Sequence, residues 1–116
     1  MKRKREYIDF VKDILEYSQK IERFVANISF EDFVRNEEKV LAVIHSLQII
    51  GEAAKHIPKS IRDKYQQVPW SDIVGMRNFI VHGYFIVDVE IIWKTLREDL
   101  PLLKKAMIEV LEDINE

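Results

Sequence analysis

Val40-Leu41-Ala42-Val43-Ile44-His45-Ser46-Leu47-Gln48-Ile49-Ile50-Gly51-Glu52-Ala53-Ala54 is the stretch on which the fold turns. Val40, Ile44, Leu47, Gly51 and Ala54 recur at the three- and four-residue spacing of one helical face, and Val43 and Ile50 add a second apolar flank. A helix apolar over so wide an arc belongs at the centre of a bundle. Its span should be from about Asn36 to about Lys55. Gly51 inside it costs roughly 1 kcal/mol against Ala, and a close helix–helix approach would be a reason to keep it.

Upstream, Tyr7, Phe10, Val11, Ile14, Tyr17, Ile21, Phe24 and Val25 predict a first helix from about Arg5 to Val25, closed by Asn27. Ser29 and Asp32 form a capping-box pair for a short helix carrying Phe30 and Phe33. Downstream, Pro58 can open a short helix reaching about Tyr65. Ser71 reads as the N-cap of a helix running through Met76 and Arg77 to His82, with Gly83 as its stop. Asp88 is the next N-cap, and Val89, Ile92, Trp93 and Leu96 face inward after it. Asp99 either caps a new helix, or Pro101 kinks a continuous one. Leu103, Ala106, Met107, Val110, Leu111 and Ile114 extend the inward stripe either way. The expected fold is all-α, one domain over residues 1–116, an antiparallel four-helix bundle with one or two extra short helices.

Composition agrees and excludes. Three Gly and three Pro in 116 residues fall well below the usual share of about 12%, too few for the tight turns of a sandwich or barrel. With no Cys there is no disulfide framework, zinc knuckle or thiol nucleophile, which fits a reducing cytoplasm. No apolar run nears the ~20 residues needed to cross a bilayer. The opening Met1-Lys2-Arg3-Lys4-Arg5 is basic like a leader, but Glu6, Asp9, Lys12 and Asp13 stand where its apolar region would be. Net charge is −2, so a nucleic-acid ligand would need a local site.

Chemistry concentrates in Gly75-Met76-Arg77-Asn78-Phe79-Ile80-Val81-His82-Gly83-Tyr84-Phe85. Arg77, Asn78, His82 and Tyr84 are four hydrogen-bonding side chains among apolar neighbours. On one straight helix Arg77 and His82 stand about 140° apart. A bend at Gly83, the reach of the arginine, or a second subunit must then unite them. Arginine is a permanent fork of donors matched to phosphate oxygens. Histidine titrates near neutrality and can move the proton of a 2′-hydroxyl or of a leaving 5′-oxygen. The pair suits RNA cleavage without a metal or other cofactor. Asn78 would orient His82 or hold a phosphate oxygen, and Tyr84 would donate to phosphate or stack on a base. Set against this is the plainer reading of Arg and His as a charge cap at a helix end.

Arg77, four residues, His82, one residue and Tyr84 reproduce the R-x4-H-x-Y signature of the HEPN superfamily. Pro69-Trp70, Ile73-Val74-Gly75-Met76-Arg77-Asn78 and His82-Gly83-Tyr84 resemble its HepT-like branch, as do Ile50-Gly51-Glu52-Ala53-Ala54 and Asp99-Leu100-Pro101. The resemblance implies a helical bundle that forms a homodimer, two motif copies facing across a cleft. It implies a metal-independent endoribonuclease toxin, with Arg77 and His82 catalytic and Asn78 and Tyr84 supporting. It further implies a minimal nucleotidyltransferase antitoxin, which in some members adds AMP to the tyrosine matching Tyr84. Bulk and negative charge there would bar an RNA phosphate.

Other candidates are weaker. Glu52 could hold Arg77 or lie near the cleft, or be a solvated carboxylate. His45 reads as a core or interface histidine, and His56 as a helix-end imidazole. None of the three has a metal-ligand spacing. The Lys2 to Arg5 cluster reads as a frayed, solvated terminus, with contact to RNA or an acidic partner as the alternative. Two further functions compete with the nuclease: a module that binds nucleotide or RNA without cutting, and a helical adaptor.

Overall fold

Side-chain oxygens set three of the helix starts. Ser29 Oγ accepts from the Asp32 amide at 3.1 Å, Asn36 Oδ1 from that of Lys39 at 3.1 Å, and Asp88 Oδ1 from that of Ile91 at 3.1 Å. Each bond satisfies one of the amides that a helix N-terminus leaves unpaired. The computed structural model describes residues 2–75, 80–81 and 86–114, with side chains over 7–75 and 88–114. Its helices are α1 (Lys2–Phe24), α2 (Phe30–Arg35), α3 (Glu37–Ala54), α4 (Lys59–Lys64), α5 (Trp70–Val74), α6 (Val89–Lys94) and α7 (Leu100–Ile114). Two-residue strands β1 (Ile80–Val81) and β2 (Ile86–Val87) pair antiparallel, Ile80 opposite Val87 and Val81 opposite Ile86.

The backbone is helical from Lys2, three residues before the expected start, because Lys and Arg are good helix formers and nothing there breaks the run. Asn27 closes the α1 end with φ 59, a left-handed conformation that Asn tolerates better than most residues. The antiparallel order follows from contacts. Phe24 meets Lys39 through a 2.7 Å bond from the ammonium to its carbonyl, whereas Phe10 meets His56. Glu22 meets Lys104, whereas Tyr7 shares a pocket with Val110 and Ile114. So α3 and α7 both run against α1.

α3 is the central helix. Val40, Val43, Ile44, Leu47, Ile50, Gly51 and Ala54 are all buried, and the helix packs on α1, α2 and α5. Val11, Ile14 and Ile21 of α1 and Leu103, Ala106, Met107 and Val110 of α7 complete the core. α6 and α7 form one unbroken helical segment through a π turn at Thr95–Asp99. Asp99 therefore caps nothing. The Leu100 amide reaches back to the Thr95 carbonyl, a wider step than the α-helical one. Pro101 follows at once, lacking the N–H for an ordinary turn, and its ring needs the added room. The molecule is an all-α bundle of three long helical segments, α1, α3 and the continuous α6–α7, rather than the expected four, with α2, α4 and α5 short and one minimal hairpin ladder. Among the described residues, no helix is long and apolar enough to cross a membrane.

Candidate functional site

α5 leads into the motif, and it differs from the sequence expectation at both ends. Its N-cap is Pro69, not Ser71, and no side chain caps it. Trp70 makes the difference. Its indole Nε1 donates to the Tyr65 carbonyl at 3.1 Å and its amide to that of Val68 at 2.8 Å, fixing the chain one residue earlier. The helix stops at Val74, with Gly75 as C-cap, and does not continue to His82. Ile80 and Val81 are strand instead, paired with Ile86 and Val87. These four β-branched residues prefer the extended ladder to a helix turn. The angle of about 140° between Arg77 and His82 presupposed one helix through this region, so it no longer bears on how they meet. Arg77, Asn78, His82 and Tyr84 themselves lie outside the described residues.

Two grooves flank α5. One, of about 690 Å³, is lined by Lys59, Arg62, Asp63 and Gln66 from α4 and the turn after it, and by Trp70, Ser71 and Val74 of α5. The other, of about 620 Å³, takes Ser71, Asp72 and Gly75 from α5's side and Lys94, Glu98 and Asp99 among others from the α6–α7 segment. Burial holds the Asp99 carboxyl above the ordinary carboxylate range, Asp72 and Glu98 push it further up, and Lys94 opposes them. The helix entering the motif thus has a basic groove on one side and an acidic one on the other.

Glu52 is exposed and pairs with Lys55 at 3.5 Å, one turn along α3. His45 is exposed on α3, so the core reading of it fails. It sits on the face opposite the buried stripe. His56 is exposed beyond the α3 C-terminus and stacks on Phe10. Among the described residues no group of His, Asp and Glu is placed to hold a metal ion.

Residues 14–110 match the family described as "Ribonuclease HepT-like". The chain belongs to the HepT-like ribonuclease family. It is 44% identical over 112 residues to "Putative RNase TTE0752" of Caldanaerobacter subterraneus, covering 97% of each chain. It is 44% identical over 101 residues to "Probable ribonuclease HepT" of Thermococcus cleftensis, covering 87% of this chain and 92% of that one. "Putative RNase MJ1216" of Methanocaldococcus jannaschii is 40% identical over 111 residues, 96% of this chain and 92% of that one. No solved structure matches the chain significantly. The span matched to the HepT-like family runs from α1 into α7 and includes the whole R-x4-H-x-Y string. Sequence reasoning missed the groove residues Lys59, Arg62 and Trp70 of this HepT-like chain as a set. The signal available was local charge: Lys55, Lys59, Arg62 and Lys64 stand against Asp63 alone in ten residues of a net-negative protein.

Proposed function

We propose that this chain is a metal-independent endoribonuclease in which Arg77 and His82 cleave RNA at the neighbouring 2′-hydroxyl. The observation that carries the reading is the intact R-x4-H-x-Y string, directly after α5, in a member of the HepT-like ribonuclease family. Neutral His82 takes the 2′-hydroxyl proton as that oxygen bonds to phosphorus. The bond from phosphorus to O5′ breaks, and the leaving oxygen is protonated. Arg77 holds the non-bridging oxygens, whose charge grows in the transition state. The products are a 2′,3′-cyclic phosphate and a 5′-hydroxyl. Asn78 orients His82 or binds a phosphate oxygen, and Tyr84 donates to phosphate or stacks on a base. Two copies of the chain, motif to motif, would supply one imidazole to accept the proton and another to return one.

The biological setting belongs to the same proposal: a toxin checked by a minimal nucleotidyltransferase antitoxin, with AMP added to Tyr84 as the means of silencing. The family resemblance supports it. Purified protein free of any partner, incubated with RNA in EDTA, tests the chemistry. Fragments ending in cyclic phosphate are expected, and none from His82→Ala or Arg77→Ala proteins that remain folded. RNA bound without fragments would leave only a binding module. Intact mass after co-expression with a nucleotidyltransferase reports AMP addition, which Tyr84→Phe should abolish.

A further inference from the structure

Charge is spread unevenly over a chain whose net is −2, and one of two described grooves with a net positive lining lies beside the helix that leads into the motif. We infer that the groove between α4 and α5 seats the single-stranded RNA flanking the cleaved bond, with phosphates on Lys59 and Arg62 and a base against the Trp70 indole. The inference rests on the nuclease reading above and adds where the substrate runs.

Four observations carry it. First, the chemistry is that of single-strand binding, cations that track phosphates beside an aromatic face that stacks any base. Second, the groups are prepared for it. The Trp70 ring is fixed by its bond to the Tyr65 carbonyl at 3.1 Å, and it is only partly buried. Arg62 spends Nε on the Ile57 carbonyl at 2.9 Å and Nη2 on that of Lys55 at 3.3 Å. Among the described residues its Nη1 meets no acceptor, and those donors remain for a phosphate. Lys59 is 87% exposed, and its bond to exposed Asp63 is of the kind solvent and salt loosen readily.

Third, the groove's volume of about 690 Å³ is of the size that holds small ligands, and Gln66 and Ser71 offer hydrogen bonds to base edges or 2′-hydroxyls. Fourth, the opposite side of α5 is acidic, with Asp72, Glu98 and Asp99 in its groove, so a polyanion is repelled there and drawn to the α4 side. Val74, in the basic groove, is three peptide links from Arg77, at most about 11 Å of chain.

The test uses the full chain carrying Trp93→Phe, which leaves Trp70 as the sole indole, and a short 2′-O-methyl oligonucleotide of mixed sequence. That probe has no free 2′-hydroxyl and cannot be cut. Saturable quenching of Trp70 emission is expected. Lys59→Glu and Ser71→Glu should each weaken binding about tenfold, and Lys59→Glu should lower the salt slope by about 0.7. Both place a carboxylate in the first turn of a helix, where it is tolerated. Lys105→Glu, the same charge change on an exposed site of α7, should leave affinity unaltered. Unmoved Trp70 emission on binding, or Lys59→Glu no worse than Lys105→Glu, overturns the groove while RNA cleavage stands. So does a change of subunit stoichiometry in light scattering in place of an affinity loss, which would make the face a protein contact. If RNA is neither bound nor cut by the wild-type chain, this inference and the nuclease reading fall together.

Discussion

The imidazole of His56 lies on the ring of Phe10, centroids 4.2 Å apart and planes 13° from parallel. The stack ties the chain just beyond α3 to the first half of α1, at the end of the bundle away from the Phe24–Lys39 contact. Such a pair contributes about 1 kcal/mol beyond the area it covers. His56→Ala should therefore lower unfolding free energy by about that amount in urea titration. RNA cleavage per folded molecule should be unchanged, since His56 is given no part in the chemistry. Loss of cleavage without loss of stability would place His56 in the site.

Arg62 closes the C-terminal end of α3 by donating to the carbonyls of Ile57 and Lys55. A lysine keeps the charge but has no planar fork to serve both acceptors. Arg62→Lys should lose about 1–2 kcal/mol in chemical denaturation. Equal stability would mean that the two carbonyls are satisfied as well by water.

Legibility followed the range of the interactions. Ser29 and Asp88 cap as their sequence predicts, and Asn36 caps where the central helix was expected to begin, because the bond reaches only three residues along the chain. The stripes of α3 and α7 were readable for the same reason, since each residue's face follows from its spacing. The stretch after Val74 was not. Its local pattern reads as a helix, whereas Ile80 and Val81 find partners at Val87 and Ile86, which no helical window contains. The Ser71 cap lost to an indole bond across the Tyr65–Trp70 turn. The motif could be read as a string of residue types. The grooves beside it could not, because they exist only once α4, α5 and the α6–α7 segment are packed together.

Ser18 is fully buried on α1, and its hydroxyl has no hydrogen-bond partner among the described residues. A buried hydroxyl left unpaired costs about 1–3 kcal/mol, and Ala is the better helix former. Ser18→Ala should raise the melting temperature, by a few degrees for a gain of about 1 kcal/mol. A destabilised variant would show that the hydroxyl is paired in solution, by water or by a carbonyl of its own helix.

Asp99 gives the pH prediction. Its carboxyl is held above the ordinary value of 3.8, chiefly by burial and then by Asp72 and Glu98. A raised folded-state value means that the native chain keeps a proton the unfolded chain has released. Stability must fall as pH climbs from about 3.8 through the raised value, and the cost stays in place at neutral pH. Asp99→Asn removes the charge and keeps the shape. It should melt higher than wild type at pH 7, with the advantage shrinking towards zero at pH 3, where both side chains are neutral. The gain will be modest, because the site is only partly buried and solvent screens Asp72 and Glu98, both exposed. A difference independent of pH would assign the effect to packing at the π turn, since packing does not titrate. A lower melting point at pH 7 would mean that Lys94 outweighs burial and the two carboxylates together.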